Sequence, residues 1–442
     1  MDHEPVTPDQ GPIHTRRAFL ATTAAAAGAT ALLGARPVKA ARAPIPRARA
    51  RTPLGPDDPI RMGVIGTGGM GTAHCQSIIA LAQGGHENVQ IVALCDVCKP
   101  RLDNARTICQ TQQSIDVDVY RKHEQILARD DLHGVLIAVP EHWHAGVAEA
   151  ALLAGKDVYL EKPMCLNLPD ALRLRQVVQS NPELMFQVGT QMIQLPKYKA
   201  AADLVAEGAI GKPTMSQTSY CRNSKDGEWL YYTIDPQVVP GPNLDWERWC
   251  GPLGLQPWDP AVYARWRRYR KFSTGIIGDL LVHVMTPLVM ALDMGWPTRV
   301  IASGGHYVDK AMENNDQVNI TVQFEGEHTL VVAGSTANEV GLETMIRGHR
   351  GNIYLGGRNA VLRPERIFVD DVDERTIEVP DIGNDQDKHR LNWLASIRSR
   401  KQPASGVDLG MKIMVIVDLA TRSMWGGQAY SFDPASMSAR AI

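Results

Sequence analysis

From residue 59 the chain switches repeatedly between two hydrophobic periods. Short, nearly continuous apolar runs fall at 62–65, 89–95, 134–139, 157–160 and 184–188. Between them, the stretches 70–83, 100–112, 143–153 and 168–179 are helix-like. The short runs read as strands buried on both faces, the longer stretches as helices laid against them. Such alternation over short connections predicts a parallel sheet with helices on both faces. Past about residue 190 the character changes. Residues 222–272 are loop-rich, with many aromatics, prolines and glycines. A helix follows at 279–291, then strand-like runs at 299–303, 317–324, 329–333, 343–347 and 352–355. Their close spacing predicts a mostly antiparallel, open sheet in a second α+β domain. Two last helical stretches, 389–399 and 408–423, are expected to pack back on that sheet. No internal repeat is evident.

The first strand meets Gly66-Thr67-Gly68-Gly69-Met70-Gly71 and opens into a helix. Strand, Gly-x-Gly-x-x-Gly and helix in that order separate a dinucleotide site from a chance glycine match. Gly66 permits the tight turn, Gly68 lets a pyrophosphate approach the backbone, and Gly71 lets helix and strand pack closely. The helix N-terminus offers free N–H groups to the phosphates. The second strand ends at Asp96, 25 residues past Gly71. A carboxylate there accepts from the adenine ribose hydroxyls, which favours NAD over NADP. The expected fold class is therefore α/β: a Rossmann domain over 59–188, and a second domain over 189–442.

Composition narrows the partners. The net charge is −2, and no basic stripe points to nucleic acid. Residues 1–40 read as a targeting segment. Arg16-Arg17 precedes Ala18-Phe19-Leu20, an Ala-rich apolar stretch runs to about Ala35, and Val38-Lys39-Ala40 offers small residues for cleavage. This is the pattern of a twin-arginine export signal, which predicts a periplasmic or otherwise extracytoplasmic protein. No cysteine lies near Ala40, so no lipid anchor is expected after cleavage. Residues 41–58 are expected to form a flexible linker. Seven scattered cysteines make a poor disulfide framework, and Cys95 and Cys98 flank Asp96 as incidental, buried thiols.

The run Gly155 to Pro163 places Glu161-Lys162-Pro163 at a strand end. Proline disfavours helical geometry at Lys162, so its side chain projects toward the nicotinamide side of the cleft. It can donate to a carbinol oxygen, or take its proton once its own is released. Asp279 and His283 are four apart at a helix start and share one face. Glu141-His142-Trp143-His144 follows another strand end. His-x-His invites a metal reading, but with no third ligand nearby no metal site is expected, and His144 is assigned to the cofactor cleft.

These blocks together resemble the glucose–fructose oxidoreductase/inositol dehydrogenase (Gfo/Idh/MocA) family. The resemblance rests on the glycine motif, Asp96, Val139-Pro140 with His144, the Ala154-to-Pro163 block, and Gly275, Gly278, Asp279 and His283. It spans roughly residues 59–430. It implies a Rossmann domain followed by an α/β domain whose open sheet forms oligomer contacts. It implies hydride transfer between NAD(P) and a sugar or cyclitol hydroxyl. Lys162 becomes catalytic and cofactor-contacting, with Asp279 and His283 beside it to bind and deprotonate the hydroxyl. Members often carry another Asp three residues past the His. Thr286 stands there instead, which singles out His283 as the base. The cofactor set is Gly66, Gly68, Gly69, Met70, Gly71, Asp96, Pro140, His144, Glu161 and Lys162.

Residues 229–272 hold 10 of the 26 aromatics, with arginines interleaved near the end. That density suggests pyranose-stacking rings, alongside rings that only pack the loop. Tyr220, Trp143, Trp266 and Arg267 are the candidate substrate contacts. Export adds a constraint, because free NAD is not supplied outside the cytoplasm. The expected protein is an NAD-dependent oxidoreductase with a tightly held cofactor regenerated in place, acting on a carbohydrate or cyclitol as a homodimer or homotetramer. A second reading is an NAD-dependent glycoside hydrolase that oxidises, eliminates, adds water and re-reduces. A third is a non-catalytic, nucleotide-dependent sugar-binding protein. The same Lys162, Asp279 and His283 serve the first two.

Overall fold

A computed structural model describes residues 45–442. The twin-arginine segment lies outside the described residues. The strands of the first half are β1 (Ile60–Ile65), β2 (Val89–Cys95), β3 (Asp118–Tyr120), β4 (Gly134–Ile137), β5 (Asp157–Leu160) and β6 (Phe186–Val188). The helices between them are α1 (Gly69–Gln83), α2 (Lys99–Gln113), α3 (His123–Leu127), α4 (Glu141–Leu153) and α5 (Leu168–Ser180). The strands pair in parallel in the order β3-β2-β1-β4-β5-β6. This is the doubly wound order, whose direction reverses between β1 and β4 and leaves a crevice at their carboxyl ends. The central strands β4 and β5 are buried along their whole length, as their apolar runs require.

The second half contains α6 (Pro196–Ala206), β7 (Pro213–Cys221), α7 (Trp246–Cys250), α8 (Pro260–Ala264), α9 (Val282–Leu292), β8 (Pro297–Gly305), β9 (Gln317–Phe324), β10 (Thr329–Ser335) and β11 (Met345–Gly348). It continues through β12 (Gly351–Tyr354), β13 (Ala360–Pro364), β14 (Arg375–Ile377), α10 (Asp385–Ser399), α11 (Val407–Gly426), β15 (Tyr430–Asp433) and β16 (Ser438–Ala441). Ten strands form one mixed sheet, in which β7 and β10 are the parallel pair. Period-2 alternation decides its faces. Val318, Ile320, Val322 and Phe324 of β9 are buried, whereas Asn319 and Gln323 face outward.

Two expectations change. The stretch expected as a flexible linker is tied down from its first described residues. Ala48 N donates to Asn181 Oδ1 at 2.8 Å, Arg49 N to the Leu153 carbonyl at 3.0 Å, and Thr52 Oγ1 to the Leu132 carbonyl at 2.8 Å. Proline and alanine there make an extended strap along the Rossmann half. Helix α10 does not pack on the second sheet either. Its Trp393, Leu394 and Ile397 join the core of Ile60, Met62 and Ile91, beneath the first sheet. Only α11 packs as expected against the second sheet, running between β8 and α5. All seven cysteines are free thiols, and six are buried.

Candidate active site

The glycine turn is built by sterics. Gly66 has φ +91°, and a Cβ there would lie 2.6 Å from the Ala138 carbonyl oxygen. A Cβ at Gly71 would overlap the Gly66 carbonyl, so helix α1 can close on β1 only with glycine there. Gly69 faces empty space, with nothing within 4 Å of such a Cβ. The turn therefore presents bare backbone to a cavity of about 790 Å³, within the range of a small-molecule site. Gly66, Gly68, Gly69, Met70, Asp96, Pro140, Trp143, His144, Glu161, Lys162, Trp266 and Arg267 line it. Gly71, Tyr220, Asp279 and His283 lie outside that lining. The cradle fits a dinucleotide: phosphates against the turn, adenosine toward Asp96 and nicotinamide toward β5.

Asp96 is anchored before any ligand arrives. Its Oδ2 accepts from Thr67 N at 2.6 Å and from Thr67 Oγ1 at 3.2 Å, and its Oδ1 accepts from Cys98 N at 2.8 Å, which leaves Oδ1 a lone pair. Arg101, which the sequence motifs did not single out, sits beside it. Its Nη1 would be 2.9 Å from a Cβ on Gly68, and its guanidinium lies 5.1 Å from the Tyr263 ring centre.

The aromatic loop forms a clasp over this cavity. Trp246 and Trp249 stack at 4.7 Å, and with Tyr263, Phe272 and Cys98 they make a small core of their own. Lys99 N donates to the Asn243 carbonyl at 2.8 Å, and Asp245 N to that of Val97 at 3.1 Å. His142 Nε2 and Trp143 Nε1 both reach the Trp249 carbonyl, at 2.8 and 2.9 Å. So most of the rings expected to stack on sugars pack the clasp instead. Tyr232, Trp249, Tyr263 and Trp266 are the ones that also face the cavity.

His144 lines the cavity, as expected, and its ring is held at both nitrogens: Nδ1 lies 2.6 Å from the Pro163 carbonyl and Nε2 2.8 Å from that of Val139. Burial lowers its pKa, so a neutral ring donates to one of these carbonyls. Its polar atoms brace the chain past two strand ends that border the cavity.

The candidate reacting groups converge at the end of β5. Lys162 Nζ lies 2.8 Å from Asp279 Oδ1 and 2.9 Å from the Asp279 carbonyl. Arg267 Nε donates to the same Oδ1 at 2.9 Å. Burial alone would push the Asp279 carboxyl up, but Arg267 and Lys162 outweigh it and hold the group far below the usual carboxylate range. Burial, with Lys162 adding to it, brings His283 down to about 3. His283 Nδ1 is buried without a partner among the described residues. Its ring centre is 6.5 Å from that of Tyr220. Asp279 sits in a π-turn over Ile277–Leu281 rather than in the first turn of an α-helix, with α9 and His283 following. Glu141, unnoticed as a functional group in the sequence, fixes the approach to that turn. It accepts from Ser273 Oγ at 2.6 Å, Thr274 N at 3.0 Å and Thr274 Oγ1 at 3.1 Å, and burial raises its pKa to about 7.

Comparison with known proteins agrees with this architecture. Residues 60–190 match the oxidoreductase family with an NAD-binding Rossmann fold, and residues 254–432 match its C-terminal alpha/beta domain. Inositol 2-dehydrogenase of Corynebacterium glutamicum strain R is 30% identical over 169 residues, 38% of this chain and 47% of that protein. The Salmonella typhimurium enzyme of the same name is 28% identical over 156 residues, 35% of this chain and 44% of that one. The chain thus spans about half the length of the curated relatives it matches. Among solved structures, a levoglucosan dehydrogenase in complex with NADH superposes with a TM-score of 0.64 at 18% identity, covering 87% of this chain and 99% of that one. An oxidoreductase domain protein from Kribbella flavida gives 0.64 at 18%, over 84% and 98%. At that identity the likeness is one of fold. With both halves matched in order, the chain belongs to the Gfo/Idh/MocA oxidoreductase family and carries its NAD-binding Rossmann domain.

Proposed function

We propose that this protein is an exported NAD-dependent oxidoreductase that oxidises a hydroxyl of a sugar or cyclitol. The observation that carries the reading is the meeting of Lys162, Arg267 and Asp279 on one carboxylate oxygen, beside His283 and at the nicotinamide end of the cavity. Bound at the glycine turn, NAD supplies the acceptor for the carbinol hydrogen and its electron pair. Lys162 Nζ, held by Asp279, donates to the carbinol oxygen and polarises it. His283 is neutral above about pH 3 and offers a lone pair for the hydroxyl proton. The Asp279 anion stabilises that proton once it has moved. Arg267 spends Nε on Asp279, which leaves its Nη groups to the substrate, and it stacks on Trp266 at 4.2 Å.

Export through the twin-arginine route, after folding and cofactor loading in the cytoplasm, would place the enzyme in the periplasm or beyond. There a released nucleotide is not replaced, so the cofactor is retained and regenerated in place. The aromatic clasp over the cavity supports retention. The outward face of the second sheet would pair two or four copies.

The test begins with protein purified without added nucleotide. Bound cofactor is released and identified by mass spectrometry, and absorbance at 340 nm is followed as free sugars and aryl glycosides are added. Stable reduction by a free sugar, reversed by a second carbonyl compound, is the expected outcome. Release of the aryl group with no lasting absorbance change would replace it with the redox-neutral glycosidase reading.

A further inference from the structure

A buried chain of hydrogen bonds runs from α10 to the strand end that carries Lys162. Arg390 on α10 is 2% exposed. Its Nε donates to His74 Nδ1 at 2.9 Å, its Nη1 to Asp387 Oδ1 at 2.7 Å and its Nη2 to Gln386 Oε1 at 3.2 Å. His74, buried in α1, sets Nε2 2.8 Å from Glu161 Oε1. The other oxygen of Glu161 accepts the Lys162 amide at 3.2 Å, and Glu161 lines the cavity.

Protonation along this chain follows from its first member. A guanidinium only donates and does not lose its proton in a protein. His74 Nδ1 must then be a bare acceptor, so Nε2 carries the proton of a neutral ring and donates to Glu161. Glu161 accepts at both oxygens, the pattern of a carboxylate. Burial would raise its pKa, but the hydrogen bond from His74 and the Lys162 cation bring it down to about 2. Tyr159 and His389 adjoin the chain. The Tyr159 ring stands edge-on to His74 at 5.4 Å. His389 is committed to the Val188 carbonyl at 2.8 Å and to Gln194 at 3.1 Å. Because the chain ends in an arginine, it cannot pass a proton along; it can only hold one arrangement.

We infer that Arg390 and His74 are positioning residues that hold Glu161 as a fixed anion at the nicotinamide end of the cavity and thereby bias the bound cofactor toward its oxidised form. The inference rests on the reading of this cavity as an NAD site. An oxidised nicotinamide ring is cationic and a reduced one neutral, so a carboxylate in a dry site favours the former.

Two measurements test it, and no sugar enters either, so failure to turn over any carbohydrate leaves both decisive. Nitrogen-15 NMR of the histidine-labelled holoenzyme should show His74 with Nδ1 bare and Nε2 protonated at neutral pH. A proton on Nδ1 would overturn the assignment, and this needs no variant to fold. Redox titration of the holoenzyme at 340 nm should show Glu161→Gln easier to reduce, by about tenfold in the reduced-to-oxidised ratio, or roughly 30 mV for this two-electron couple. Arg390→Met should shift the potential the same way, because an unclamped His74 can turn away from Glu161. Arg390→Lys should recover part of the shift. The Arg390→Met/Glu161→Gln pair should shift no further than Glu161→Gln alone. An unmoved potential in Glu161→Gln, or shifts that simply add in the pair, would refute the inference. A merely structural Arg390 would lower the melting temperature and leave the potential where it was.

Discussion

One carboxylate oxygen of Asp279 holds two cations, and each cation has a different second task. In the proposed mechanism Lys162 reaches the reacting hydroxyl, whereas Arg267 turns its free nitrogens to the substrate. Lys162→Ala should therefore cut turnover by about 10²- to 10⁴-fold, the usual span for a positioned acid–base group. Bound nucleotide, counted by mass spectrometry, should stay near one per chain; its loss would mean that Lys162 serves cofactor binding instead. Glu141 makes a second prediction. Its folded pKa of about 7 lies above the usual carboxyl value, so the native state holds a proton that the unfolded chain releases. Stability linked to Glu141 is thus greatest below about pH 4.5 and declines as pH rises toward 7, by about 3 kcal/mol in all. Against Glu141→Gln, the wild type should lose relative melting temperature across that window and run parallel to it above. Parallel curves throughout would show that Glu141 does not titrate there. The partners that give Glu141 and Arg390 their roles are far away in sequence: Ser273 is 132 residues from Glu141, and His74 is 316 from Arg390. The motif residues were legible because their chemistry lies in local spacing. These two were not, because their roles exist only once the chain has closed on itself.

Among the elements, the clasp over the cavity has one tight contact that can be tested. Gly251 has φ +50°, and a Cβ there would run into the Trp143 ring. Gly251→Val should lift the clasp from α4 and speed release of bound nucleotide, by about tenfold or more if the displaced contact costs ~1.4 kcal/mol. Dialysis followed by nucleotide quantification reads this directly. Unchanged retention would place the hold on the cofactor in the glycine turn alone. Elements were legible in the sequence wherever apolar residues followed a period. Strands β1, β2, β4, β5 and β9 show this. Strand β7 did not, because Ser216 and Thr218 fill its buried positions. Their hydroxyls are satisfied by His328 and Thr344, at 2.9 Å each. The clasp gave no period at all: its order comes from ring packing and from backbone bonds to the Rossmann half.

At the scale of the whole molecule, the second sheet leaves one broad face outward. Ile301 of β8 is 46% exposed on it, near the uncharged Asn319, Thr321 and Gln323 of β9. Arg299 of β8, opposite Gln323, is the charge among them, and a broad face otherwise uncharged there suits a second copy of the same face. Light scattering on a sizing column should give a dimer or tetramer, and Ile301→Glu with Thr321→Glu should shift it toward the monomer. A wild-type monomer at micromolar concentration would rule the face out as an interface. Helix α10 belongs to the same scale. It follows the first sheet and eight of the ten strands of the second in the chain, yet Trp393, Leu394 and Ile397 complete the core under β1, and Arg390 reaches the glycine-motif helix. The nucleotide-binding half is therefore not a cassette that recombination can cut at β6 and splice to a new substrate domain. A chimaera that takes residues 60–190 from one relative and the remainder from another inherits a mismatched plug in its first core. Exchange between members of this fold should succeed only where α10 travels with the sheet it completes.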